Sequence, residues 1–154
     1  MITEKTKPST YIVELYGDWH SCDTKEEAEE FEKTFKTLVS RYEQAEANIQ
    51  QRVKNYFEFQ SYPEYRSDDE FKWGLMEDAD VVGEILNGKR YAAGEFTNIE
   101  FFTTLEELQK NVEGKADDQH FTARDFSEYF DVIDLETDER FDIKLHVELV
   151  KRAK

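Results

Sequence analysis

His20, Cys22 and Asp23 stand within four positions of one another in YGDWHSCDTKEE, residues 16–27. Those residue types can supply a nucleophile, its base and an orienting acid. An imidazole beside a thiol lowers the thiol pKa and provides the thiolate. The spacing works against that chemistry, because catalytic Cys and His come together from distant parts of a chain. A helix start after Cys22 would favour a thiolate through its dipole, yet five glutamates follow in the next ten positions and oppose it. The stretch therefore reads as a turn leading into a helix. Gly17 ends a strand, Trp19 packs over the joint, Cys22 is a half-buried cap or turn residue, and no catalytic residue is assigned.

Metal and nucleotide chemistry find little to work with. One cysteine and three scattered histidines fall short of the four ligands of a structural zinc site. The carboxylates at 68–69 and 77–80 lack the glycine-punctuated loop that wraps calcium. NGKR (87–90) pairs Gly88 with Lys89 but has no glycine loop upstream, so it is no phosphate cradle. No metal and no cofactor are expected. Paired carboxylates for acid–base hydrolysis are present in such number that their count alone favours no enzyme.

The elements that must position these side chains are easier to read. TYIVELYG (10–17) is rich in β-branched and aromatic residues and reads as a strand. Thr24 with Glu27 forms a capping box. From there Ala28, Phe31, Phe35, Leu38, Tyr42, Ala45 and Ile49 recur at helical spacing, extended by Val53 and Tyr56. A single helix over 24–57 would be about 50 Å long. Such a helix must serve as a spine, bend near Arg52, or pair through its 28–49 stripe with a second copy.

Pro63 breaks this helix, and Ser67 with Glu70 starts another, carrying Phe71, Leu75, Ala79, Val82 and Leu86 up to Asn87–Gly88. EFTNIEFF (95–102) reads as a strand. Thr104 and Glu107 cap a short helix bearing Leu105, Leu108 and Val112, stopped by Gly114. Thr122 and Asp125 can begin one more helical turn. Phe141, Ile143, Leu145, Val147 and Leu149 alternate with polar residues as a closing strand, paired with YFDVIDLE through the turn TDER. The order β-α-α-β-α-β-β predicts an α+β fold, a small mostly antiparallel sheet packed on one long helix and a second helix. A flexible tail over 1–9 and a single domain over 10–150 are expected.

Charge dominates the totals. Thirty-six carboxylates against twenty Lys and Arg give a net charge of −16 on 154 residues. That surface repels phosphate backbones and anionic membranes and attracts basic proteins. One cysteine and a start, MITEKTKPST, without an apolar core predict a cytoplasmic protein, host cytoplasm if phage-encoded, and no apolar run is long enough for a membrane span.

Residues 55–73 interleave seven aromatics with five carboxylates, a pattern suited to Arg and Lys side chains through ion pairs and cation–π contacts. The candidate partner-binding residues are Glu26, Glu29 and Glu30 on the long helix, then Glu58, Tyr62, Glu64, Tyr65, Asp68 and Asp69 in the aromatic stretch. Glu77, Asp78 and Asp80 complete the set. Rows of carboxylates on a rigid helix can imitate the charge spacing of DNA.

In size, charge and aromatic content the chain resembles phage or mobile-element anti-defence proteins, anti-CRISPR and anti-restriction inhibitors among them. The likeness is one of composition. It implies a non-enzymatic inhibitor that docks an acidic face onto a basic partner, such as a nucleic-acid-binding enzyme. An immunity protein or antitoxin against a basic toxin, and a small carboxylate-dependent hydrolase, are the alternatives.

Overall fold

The computed structural model describes residues 1–6, 9–61, 64–95, 98–118 and 130–144. The chain divides into two compact units, Met1–Asn87 and Gly88–Lys154. Helices and two small antiparallel sheets make the fold α+β. The single sheet expected from sequence is replaced by two three-stranded ones, because strands that sequence reading joined or passed over are separate elements.

The first unit opens with β1 (Ile2–Thr6), β2 (Ser9–Leu15) and β3 (Asp18–Cys22), an antiparallel meander in that order. Residues 2–6, expected in a tail, pair along β2 with Ile2 opposite Val13. Leu15 pairs with Asp18, so only Tyr16 and Gly17 turn the chain. Both have positive φ, 48° and 77°, the mark of a type I′ hairpin turn. DWHSC, expected as a turn, is therefore a strand, and the helix start follows it.

Four helices complete the unit: α1 (Lys25–Gln44), α2 (Ala47–Phe59), α3 (Asp68–Glu77) and α4 (Ala79–Leu86). The expected long helix breaks at Ala45 and Glu46, whose ψ angles of 154° and 152° are extended. No proline or glycine marks that break. Gln50 reaches back from α2 and donates to the carbonyls of Tyr42 (2.8 Å), which also accepts from Ala45 N (3.1 Å), and Glu43 (3.4 Å), at the end of α1. The second expected helix also divides, at Asp78, and Ile85 rather than Leu86 becomes the fully buried position.

Two of the capping boxes shape this unit. Thr24 Oγ1 accepts from Glu27 N (3.1 Å) and Ser67 Oγ from Glu70 N (3.1 Å). Each glutamate reaches the residue before the cap, Asp23 N in one case and Arg66 N in the other.

The core of the sheet side gathers Val13, Leu15, Cys22, Ala28, Phe35 and Val39. Phe35 lies at its centre, fully buried, with ring centroids 5.0 Å from Tyr16, 5.8 Å from Phe31 and 4.8 Å from Trp73. Ala28, Phe35, Leu38 and Tyr42 of the α1 stripe are buried within this one chain, and α1 packs on β2, β3, α3 and α4. These four positions of the stripe are thus covered by the chain's own elements, while Phe31, Ala45 and Ile49 are partly exposed.

In the second unit β4 (Tyr91–Glu95), β5 (Asn98–Phe102) and β6 (Asp131–Asp134) form a sheet ordered β5-β4-β6, with α5 (Leu105–Asp118) against β4 and β5. The expected strand over 95–102 is the end of one strand and the whole of the next. β4 escaped notice because Ala92, Ala93 and Gly94 carry no β-forming side chains. α5 runs past Gly114, and Thr104 Oγ1 caps it by accepting from Glu107 N (3.2 Å). After β6 the chain returns antiparallel, with Ile133 bridged to Arg140 and Phe141 N donating to Val132 O (3.0 Å). The closing strand beyond 144 and the helical turn near 122 lie outside the described residues.

An ion pair ties this sheet. Arg90 donates through Nε and one terminal nitrogen to the two oxygens of Asp134, at 3.0 and 2.8 Å, and pairs with Glu136 at 3.2 Å. Burial works to raise the Asp134 pKa, but the Arg90 fork and the Glu136 N–H outweigh it and hold the carboxyl below its ordinary value. The stability it contributes is therefore present above the unfolded carboxylate value of about 3.9 and is lost as pH falls through the folded value. Asp134→Asn is expected to destabilise the protein by about 1–3 kcal/mol at neutral pH, since it removes the forked partner of a partly buried guanidinium and leaves it Glu136 alone among the described residues. Melting curves from neutral to acid pH should show a smaller further loss in the variant than in the parent.

Candidate functional site

The catalytic-looking trio sits on or beside β3. His20 is exposed and stacks on Phe31 of α1, with centroids 4.2 Å apart and 13° between planes. Cys22 is buried in the sheet core, and burial first, then Glu27 and Asp23, pushes its thiol pKa up. A raised thiol pKa disfavours the thiolate that nucleophilic chemistry needs. Trp19 does not pack over the joint. Strand alternation turns it to the opposite face of the sheet from Cys22, 60% exposed.

A different place concentrates charge, rings and concavity. Asp69 and Glu70, Trp73 and Gly74, and Glu77 and Asp78 follow at four-residue steps along α3, which puts all three pairs on one face over successive turns. That face walls a hollow of about 840 Å³, closed on another side by the hairpin residues Tyr16, Gly17 and Asp18 and at one end by Tyr65. Among the described residues five carboxylates line it and no lysine or arginine does. Glu70 is committed to Arg66 N (3.0 Å) and Asp18 to Trp19 N (2.8 Å). Asp69, Glu77 and Asp78 have no ion-pair partner among the described residues.

The rings are held firmly. Trp73 Nε1 donates to Leu15 O (2.9 Å), fixing α3 to the end of β2. Tyr16 lies against Phe35 on a backbone conformation that a non-glycine residue adopts only at a cost of about 1–2 kcal/mol. Tyr65 meets Phe57 and Phe71 edge-on, with centroids at 5.9 and 5.6 Å. Burial first, then Glu77, Asp78 and Glu70, raises the Tyr65 phenol pKa; burial, Glu43 and Asp69 do the same for Tyr16. Both phenols stay neutral, presenting an O–H and a π face. Beside them, Lys72 Nζ sits 4.9 Å from the Tyr16 ring centroid and 3.9 Å from both Glu43 and Asp68.

A second hollow of about 630 Å³ adjoins it, and Tyr65 and Ser67 line both. Phe57, Tyr65 and Phe71 give it aromatic walls, and Glu58, Glu64, Asp68 and Lys54 surround them with charge.

No protein-family model, curated protein or solved structure matches this chain. Its own geometry has to carry the reading. Among the described residues no three His, Cys, Asp or Glu side chains are grouped closely enough to hold a metal ion, and no helix is long and apolar enough to cross a membrane.

The residues picked out from sequence divide among several places. Tyr65, Asp69, Glu77 and Asp78 line the first hollow, and Glu58, Glu64, Tyr65 and Asp68 the second. Glu30 and Asp80 share a third hollow of about 330 Å³ with Lys33 and Arg41. Glu26 and Glu29 are exposed on α1, where Glu29 pairs with Lys25 at 4.0 Å. Tyr62 lies outside the described residues. Trp73 closes the aromatic stretch singled out over 55–73, whereas Tyr16 and Asp18 are absent from the candidate set and join the site only because a two-residue hairpin folds back beside α3.

Gly74 is the tightest point. A β-carbon there would collide with the Tyr65 hydroxyl and lie 2.5 Å from the ring carbon that bears it. Gly74→Ala is expected to displace Tyr65 and lose its edge contacts, which outweighs the gain in helix propensity of about 1 kcal/mol. The variant should fold with a melting temperature a few degrees lower and an altered near-ultraviolet tyrosine signal. An unchanged signal with raised stability would show that the ring does not rest there.

Proposed function

We propose that this protein is a non-enzymatic binding protein that docks the acid-lined aromatic hollow of α3 onto a basic protein, taking in its arginine or lysine side chains. The observation carrying this reading is that Asp69, Glu77 and Asp78 face a hollow walled by Tyr16, Tyr65 and Trp73 and lined, among the described residues, by no cation. An arginine or lysine entering such a space meets carboxylates and ring faces together, and each ring contact adds about 0.5–2 kcal/mol depending on desolvation. The carboxylates then need no reorganisation to receive it.

The net charge of −16 supports the same direction, since it draws basic surfaces in and holds nucleic acid off. A nucleic-acid-binding enzyme is the proposed class of partner, and occupation of its basic surface the proposed mode of inhibition. The resemblance to phage anti-defence inhibitors belongs with this proposal and rests on composition alone. The α1 rows are the weaker candidate for contact. Lys25, Lys33 and Lys36 offset part of their charge, with Glu29 4.0 Å from Lys25 and Glu32 4.0 Å from Lys36, so those rows hold less uncompensated charge than a DNA-like face would.

The triple variant Asp69→Asn, Glu77→Gln, Asp78→Asn tests the assignment. Its changes are isosteric, and none of the three side chains makes a capping bond. A labelled arginine-rich peptide should bind the parent at low salt, weaken steeply as added salt screens the attraction, and bind the variant at least about tenfold more weakly. Equal binding to parent and variant would remove the hollow from the function.

A further inference from the structure

The two hollows that meet at Tyr65 and Ser67 differ in kind. Among the described residues the first is lined by five carboxylates and no cation; the second is walled by Phe57, Tyr65 and Phe71, with Glu58, Glu64, Asp68 and Lys54 around them. We infer that together they form one bipartite groove for a short basic peptide segment, with an arginine or lysine seated among Asp69, Glu77 and Asp78 and a neighbouring bulky apolar side chain seated against Phe57 and Phe71. This rests on the cation-binding reading above and goes beyond it by naming the second anchor.

Charge complementarity sets the direction in which the segment lies. Asp69, Glu77 and Asp78 have no cationic partner among the described residues, whereas Asp68 at the second hollow is already within 3.9 Å of Lys72. Glu58 and Glu64 at the second hollow are also without a cationic partner among the described residues, but Lys54 stands beside them, so the first hollow is the more negative of the two and the second the more aromatic. Lys72 is the chain's own example of the chemistry. Its ammonium rests over the Tyr16 ring, which belongs to the first hollow, while contacting Asp68, which belongs to the second. A cation, a ring and a carboxylate therefore already meet beside this groove in the arrangement that the peptide would repeat.

Tyr65 separates the anchors. Its edge contacts to Phe57 and Phe71 and its seat on Gly74 fix the ring that both hollows share, so a segment occupying both must pass over it. In an extended segment residues i and i+2 share a face, roughly 7 Å apart, so the two anchors of a peptide that fits are two residues apart, with a small residue between.

Fluorescence anisotropy with labelled glycine-flanked peptides separates the possibilities. The probes carry one arginine and one leucine with a glycine between them, the same peptide with leucine changed to alanine, and the same with arginine changed to citrulline. The arginine–leucine peptide is expected to bind about tenfold more tightly than the arginine–alanine peptide, and the citrulline peptide to lose binding. Equal binding of the leucine and alanine peptides would overturn the bipartite groove while leaving the cation reading standing. No binding by any arginine peptide would overturn both. Spermine competing as strongly as the arginine–leucine peptide would make the first hollow a site for free polyamines and overturn the peptide as its occupant.

Discussion

Phe35 is the contact on which the site depends. Its ring is closed to solvent and touches Tyr16 from the hairpin, Phe31 from its own helix and Trp73 from α3. Tyr16 and Trp73 are also two of the rings walling the first hollow. Each ring pair contributes about 0.5–1.5 kcal/mol beyond its buried area, enough to offset the left-handed backbone that Tyr16 must adopt. Strained backbone of this kind persists only where the surroundings hold it. Here the surroundings are a core aromatic on one side and Lys72 on the other. The hydrogen bond from Trp73 to Leu15 O fixes the spacing between hairpin and helix, and the hollow is the gap that remains.

What the sequence made legible was chemistry that acts locally. All three capping boxes form, because a hydroxyl and a carboxylate three residues apart satisfy amides in their own turn. The α+β class followed from the same punctuation. What it hid was decided at a distance. Tyr16–Gly17 lacks the Asn-Gly or Asp-Gly pair that usually announces a type I′ turn, so the local pattern predicts a turn into the helix, with Trp19 over the joint, where β3 stands. The break at Ala45 carries no local signal. It stands where Gln50 returns to the end of α1. β4 is built from small residues whose place in the sheet is set by neighbours rather than by propensity. The aromatic–acidic stretch near Tyr65 was visible, yet its partner across the hollow, the hairpin, was not.

Electrostatics divides the carboxylates into those with work in the fold and those without. Asp134 holds Arg90 and thereby the edge of the second sheet; Glu27, Glu70 and Glu107 close helix starts; Glu29 and Glu32 on α1 have lysines one turn away. Among the described residues of the first hollow, Asp69, Glu77 and Asp78 remain uncompensated at the end of that accounting. Net charge alone speaks to solubility and to encounter with partners rather than to a site. Uncompensated charge gathered on one helix face around fixed rings is the more specific feature.

A titration of isotopically labelled protein with N-acetyl-arginine amide, followed by nuclear magnetic resonance, tests this most directly. The account predicts saturable shifts concentrated at Tyr16, Tyr65, Trp73 and Gly74, lost in the Asp69→Asn, Glu77→Gln, Asp78→Asn variant. Shifts spread evenly over the exposed glutamates of α1, or none at the hollow, would contradict it.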